Sequence, residues 1–142
     1  MPDDSPAALT RAWFERVWNQ GDADAIDHYL SPGCMAYAGD ERGCDMQGPE
    51  AFRQFHQRFL DAFPDIHFTL HEVIEQGDTA ACRWTARGTH AGHGLGMPPS
   101  GQAVTIDGMS MVRIEGGRAT EVWNAFDRTT LAIACRLVVP VG

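Results

Sequence analysis

Six histidines, four cysteines and no lysine define the chemistry open to this chain. Every one of its eleven basic residues is arginine, so no amine is present to form a Schiff base, hold a phosphate in a glycine-rich loop or serve as a depressed-pKa base. His90, with an ordinary imidazole pKa of about 6.5, could act as acid or base near neutral pH, and His56 is a second candidate. His67 and His71 have a metal-like spacing, but four residues along a strand span about 13 Å, too far for one ion. His90 and His93 would meet only if the chain turned between them. Cys34, Cys44, Cys82 and Cys135 form no Cys-x-x-Cys pair and read as free thiols in a reducing compartment, although Cys34 and Cys44 could face each other across a hairpin.

The elements that must position these groups are legible from periodicity. Ser5-Pro6 opens a helix that carries Leu9, Trp13 and Val17 and stops at Gly21. Asp22 caps a short second helix through Ile26 and Tyr29 to Ser31-Pro32. Residues 33–47 read as a hairpin with Met35 and Tyr37 alternating with small residues. Gly48-Pro49-Glu50 opens a helix whose Phe52, Phe55, His56, Phe59 and Phe63 share one face before Pro64.

After Pro64 the period changes from 3.6 to 2, and long strands are expected at about 65–76, 79–91, 103–115 and 119–127. Gly77-Asp78 and Gly116-Gly117 supply hairpin turns, so these strands are antiparallel. The stretch Gly92–Gly101, with Pro98 and Pro99, is expected to be a loop at the sheet rim. The fold class is α+β: a curved antiparallel sheet wrapped around helices to form a cone with an internal pocket. A chain of 142 residues with 44% hydrophobic residues fits a single domain over 1–142, with its core at about 5–128.

Strand alternation then selects the inward groups. On the strand 103–115, Val104, Ile106, Ser110 and Val112 share one parity, which leaves Met109, Met111 and Arg113 outside. On 79–91, Cys82, Trp84, Ala86 and His90 face in. On the last strand, Val122, Asn124 and Phe126 face in, opposite Glu121, Trp123 and Asp127. Ser110 and Asn124 are thus two inward polar groups on neighbouring strands, suited to hold a carbonyl or a water. They could equally satisfy each other, and His56 could be a satisfied core histidine. Trp84, His56, Phe52, Phe59, Tyr37, Phe126 and Met97 are the expected substrate-binding residues, with the aromatic helix face counted mainly as core and lining the pocket only at its far end. Glu121 and Asp127 read as outer-face partners of Arg113 or Arg128.

A net charge of −8 with no basic run argues against nucleic acid. No apolar stretch approaches the ~20 residues that cross a bilayer, and Met1–Ser5 is acidic where a signal peptide is basic, so no membrane role and a cytoplasmic location are expected. An outer sheet face bearing Met109, Met111 and Trp123 is more apolar than solvation needs, which predicts a homodimer.

The order helix, helix, hairpin, helix, four long strands resembles the nuclear transport factor 2-like cone. The runs Gly48-Pro49-Glu50-Ala51-Phe52, Phe63-Pro64-Asp65, Arg83–His90, Leu95–Gly101 and Glu121-Val122-Trp123 together resemble the SnoaL-like polyketide cyclase family over about residues 8–128. That resemblance implies cofactor-free, metal-free aldol closure of a polyketide ester by an aspartate base near a histidine. The positions matching that dyad hold Asn124 and Ser110, so the family's proton-transfer pair is altered here. The expected function is therefore cofactor-free acid–base chemistry on a small, largely apolar carbonyl or ester compound. Asn124 and Ser110 would polarise the carbonyl, and His90, His56 or a water between them would move the proton. The alternatives are a carrier or sensor that does not alter its ligand, an adaptor, or a dehydratase or hydrolase of the same superfamily.

Overall fold

The computed structural model describes residues 4–137, so the first three residues of the acidic Met1–Ser5 stretch lie outside the described part. Helix α1 spans Pro6–Trp13, with proline in its first turn and the Ser5 hydroxyl accepting from the Ala8 amide. It continues as a π-helical segment, Phe14–Asn19, in which the Gln20 amide donates to the Glu15 carbonyl. Asn19 then docks this end on the sheet, donating to the Phe68 carbonyl at 3.0 Å and accepting from the Phe68 amide at 2.7 Å. Asp22 caps a 3-10 turn, Ala23–Ala25, that leads into α2, Ile26–Tyr29. Strand β1, Leu30–Tyr37, begins directly after it, so Ser31-Pro32 belongs to a strand rather than ending a helix.

The remaining order is β2 Met46–Gln47, α3 Gly48–Ala62, β3 His67–Gln76, β4 Thr79–Thr89, β5 Ala103–Glu115, β6 Arg118–Phe126 and α4 Arg128–Ala134. One six-stranded sheet results, ordered β2-β1-β6-β5-β4-β3. The four long strands are antiparallel neighbours, as their short turns require. Gly116 and Gly117 both adopt positive φ, the backbone that a tight hairpin with the right twist demands. Unlike the expected all-antiparallel sheet, β1 joins it parallel to β6, with Ala36 opposite Val122. Only a long-range pairing produces this, and periodicity carries no signal for it.

The sheet is curved and unclosed, and α3 and the first helix pack into it. Val104, Ile106 and Ser110 of β5 and Cys82, Trp84 and Ala86 of β4 are buried, in agreement with the alternation in the sequence. A register shift at Arg113/Ile114 lets both Ala119 and Val122 face the core despite their unequal parity. Trp18 sits at the centre of the aromatic core, with its ring 4.9 to 6.2 Å from those of Phe52, Phe55, Phe59 and Phe68. No helix among the described residues is long and apolar enough to cross a membrane.

Candidate active site

The concave side of the sheet and the facing helices enclose a cavity of about 130 Å³. Its floor is built on Gly108. A side chain there would place its Cβ 2.3 Å from Trp84 Cζ2, so glycine is what lets the indole lie flat across the neighbouring strand. In that pose Trp84 Nε1 donates to Ser110 Oγ at 3.1 Å, and Ser110 Oγ donates to Asn124 Oδ1 at 2.9 Å. The indole N–H only donates and the Tyr37 carbonyl only accepts, so with Asn124 Nδ2 turned to Tyr37 its Oδ1 faces Ser110, whose hydroxyl donates to it. The Asn124 amide NH₂ makes one long contact, 3.5 Å to the Tyr37 carbonyl, and Asn124 lines the cavity.

Around this polar cluster the lining is almost wholly apolar. Phe52, Phe55, Phe59 and Phe63 of α3 and its C-terminus all line the cavity, so the aromatic face is more than core, in contrast to the expectation that only its far end would do so. Phe126 and Trp84 also line it. Cys34 also faces the cavity, its thiol pushed up to about 11 by burial and then by the charge of Glu121, and is therefore protonated at neutral pH. The described lining contains no aspartate, glutamate, histidine or lysine.

Four expected site residues lie elsewhere. His56 is fully buried on the flank of α3 against Trp18, where Nε2 donates to the Val17 carbonyl at 2.7 Å. That bond serves a carbonyl near the end of the first helix, where amide partners run out, and it leaves Nδ1 as a buried acceptor with no partner. His90 is inward and fully buried, but it sits beyond the end of β4 under the loop. Its Nδ1 accepts from the Ser100 amide at 3.1 Å, while the Ser100 hydroxyl donates to the Ala134 carbonyl at 2.7 Å. The proton is then on Nε2, which has no partner among the described residues. His90 thus ties the loop 92–101 to α4 rather than facing the cavity. Burial first of all lowers the pKa of both imidazoles, so both are held neutral.

Tyr37 is on the outer face, stacked on Trp123 at 5.6 Å with its hydroxyl donating to Glu121. The small residues Cys34 and Ala36 form the inward set of β1, the reverse of what their size suggests. Met97 is half-buried in a loop that folds back on the end of α3, where the Ala91 and Gly92 amides both donate to the Ala62 carbonyl, and it is not part of the lining. His67 and His71 are exposed, His71 bonding to Thr85 Oγ1 at 2.6 Å.

Sequence reading missed α4, whose Leu131 closes one side of the cavity. The signal was Asp127 three residues before Thr130. Instead of pairing with an arginine on the sheet, Asp127 caps the helix, accepting from the Thr130 amide at 3.0 Å and from its hydroxyl. Glu121 does pair with Arg113, at 2.6 Å. Arg128 instead donates to the Asp40 and Ala38 carbonyls and lies over the Phe126 ring.

The chain and its fold have known relatives. A curated relative, the aklanonic acid methyl ester cyclase DnrD of Streptomyces peucetius, is 28% identical over 116 residues, 78% of this chain and 76% of its own. The crystal structure of IdmH from Streptomyces antibioticus, a candidate polyketide cyclase, matches with a TM-score of 0.76 and 28% identity over 94% of this chain and 99% of that one. A SnoaL-like protein from Jannaschia sp. CCS1 shares the fold with a TM-score of 0.81 at 21% identity, covering 98% of this chain and all of its own. The model of the SnoaL-like polyketide cyclases matches residues 8–134, and the chain belongs to that family.

Proposed function

We propose that this protein is an enzyme of the polyketide-cyclase type, acting without a cofactor on a small, largely apolar carbonyl or ester compound held in the cavity. The observation that carries this reading is the hydrogen-bonded chain Trp84–Ser110–Asn124, which ends in an amide that lines a mainly apolar cavity. A substrate carbonyl oxygen accepts from Asn124 Nδ2. As an α-proton leaves, the growing enolate charge is met by a donor already in place, in surroundings where such a bond is worth a few kcal/mol. With His56 and His90 engaged elsewhere, proton transfer falls to a water on the second lone pair of Ser110. That water is a weak base, so turnover should be slow and should rise with pH.

A carrier that returns its ligand unaltered is the second reading, favoured by the lack of any carboxylate or imidazole in the described lining. Mass spectrometry of linear and cyclic β-ketoesters incubated with wild type, Asn124→Asp and Ser110→Ala tests the choice. Altered product that requires Asn124 or Asp at this position supports the enzyme; ligand bound but always recovered intact supports the carrier.

The same reading treats the chain as one cytoplasmic domain and as a homodimer. Register places Ile74, Ala81, Met111, Trp123 and Tyr37 in one row across five strands of the outer face, with Met111 49% and Ile74 64% exposed. A second copy of this face would cover that row.

A further inference from the structure

Every residue of the described cavity lining except Arg87 is buried or half-buried, and Arg87 has the strand parity of the outer face. No exposed side chain marks a standing mouth, so an element has to move before a molecule enters. The enclosing elements differ in how they are held. The long strands are fixed by their ladder, and α3 is anchored along its fifteen residues by Phe52, Phe55 and Phe59. The first helix is bolted to both: Asn19 takes the amide and the carbonyl of Phe68, and His56 holds the Val17 carbonyl.

Helix α4 is attached differently. It has seven residues and follows β6 through Asp127, whose amide donates to the Asp107 carbonyl of β5 at 3.2 Å. Asp127, at φ −75° and ψ 80°, belongs to neither strand nor helix, which is where hinges sit. The ties beyond it go to two loops. Arg128 donates to the Asp40 carbonyl at 3.1 Å and to the Ala38 carbonyl, holding a loop whose Gly39 lines the cavity. The Ser100 hydroxyl donates to the Ala134 carbonyl at 2.7 Å. Inward, α4 sets Leu131 against the cavity, and Cys135 is fully buried at its end.

We propose that α4 is the gate of the cavity: it swings about Asp127 when Arg128 and Ser100 let go of their carbonyls, and small molecules enter past Leu131 rather than past the first helix. The gate concerns access, so it serves an enzyme and a carrier alike.

The four cysteines report opening at four depths. Cys44 is exposed, Cys135 lies at the end of α4, Cys34 lines the cavity in the cluster with Val17, Ile26 and Tyr29, and Cys82 is buried in the core outside the described lining. Burial pushes the thiols of Cys34, Cys82 and Cys135 up to about 11, so each stays unreactive until it is uncovered.

Mass spectrometry of the full chain treated with methyl methanethiosulfonate, at urea concentrations below the unfolding transition, tests the gate through initial labelling rates. Cys44 should label at once. Cys135 and Cys34 should follow with one shallow urea dependence, because lifting α4 exposes little surface, and Cys82 with the steep dependence of global unfolding. Arg128→Ala should raise the Cys34 and Cys135 rates together by about ten- to 100-fold, as expected for bonds from a charged donor, and Ser100→Ala by about three- to tenfold. Asn19→Ala, which unbolts the first helix, should raise the Cys82 rate and leave Cys34 and Cys135 unchanged. Cys34 that responds to Asn19→Ala and not to Arg128→Ala, Cys34 that labels only with the steep dependence of Cys82, or Cys135 that labels early while Cys34 stays covered would each overturn the proposal. The wild-type urea dependence decides the matter even where a variant fails to fold. Since no ligand is used, β-ketoesters that are never altered would remove the enzymatic reading and leave the gate in place, whereas β-ketoester turnover with Cys34 uncovered through the first helix would do the reverse.

Discussion

Replacing Gly108 by alanine drives a methyl group into the indole of Trp84. The new Cβ would lie 2.3, 2.5 and 2.7 Å from Cζ2, Cη2 and Cε2 of that ring. Carbon atoms settle at about 3.5–4.0 Å, so the ring must retreat by about 1 Å or more. The Nε1 to Ser110 Oγ distance is already 3.1 Å, and such a shift carries it past hydrogen-bond reach. Overpacking a core costs about 1–3 kcal/mol, and a buried indole N–H left without its partner costs about 1–3 kcal/mol more. Alanine recovers about 0.4–1 kcal/mol by restricting the unfolded chain. The expected net loss is about 2–4 kcal/mol, read as a lower urea midpoint at unchanged m-value. The cause can be isolated with a second background: in Trp84→Leu, where no indole opposes the methyl, Gly108→Ala should cost less than about 1 kcal/mol. A loss below about 1 kcal/mol in the wild-type background, or the same loss in both backgrounds, would refute the account of the cavity floor.

Other perturbations have equally definite outcomes. His56 and His90 have folded pKa values lowered from the unfolded 6.5, so the unfolded chain binds more protons and stability rises with pH. Their contribution is complete above about pH 6.5 and is lost below it toward the lowered folded values; Asp65 and Asp127, whose pKa values are lowered by hydrogen bonds, weaken the fold only near and below about pH 4. Urea midpoints should therefore fall between about pH 6.5 and 5, and His56→Gln with His90→Gln should flatten that slope; an unchanged slope would contradict it. Gly94→Ala would set a Cβ 1.8 Å from the Arg58 carbonyl, so the loop must lift, and hydrogen exchange at the Ala91 and Gly92 amides should speed up while β5 amides keep their protection. Met111→Glu should convert a dimer seen by sedimentation into a 15.6 kDa monomer with little change in melting measured at fixed monomer concentration; a wild type that is monomeric at micromolar concentration would count against the outer-face interface.

The strands were legible because each carries its own record. Val104, Ile106 and Ser110 alternate with exposed neighbours, and the turns at Gly77-Asp78 and Gly116-Gly117 leave only antiparallel pairing for the long strands. The inward placement of Trp84, Ser110 and Asn124 follows from the same alternation. Parity, however, says which side of a sheet a residue faces and not how far along the cone it lies. His90 has the right parity, yet at the end of β4 it is covered by the loop through Ser100 instead of facing the cavity. His56 shares a helical face with four phenylalanines, but the face is wide, and its edge reaches Val17 while its middle lines the cavity. Tyr37 departs from the expected lining because bulk does not mark the inward set at the end of β1, where the small Cys34 and Ala36 are the buried residues. The parallel pairing of β1 with β6 joins segments more than eighty residues apart, and no local pattern encodes it.

The claim at the centre of this account is that Asn124 donates a hydrogen bond to the carbonyl of a ligand in the cavity. The infrared stretch of a linear β-ketoester labelled at its ketone carbonyl and bound to the wild-type protein reads that bond directly. The account predicts a stretch at lower frequency than in an alkane solvent, moving back toward the alkane value in Asn124→Leu. An alkane-like stretch in the wild type, with the β-ketoester bound, would contradict it.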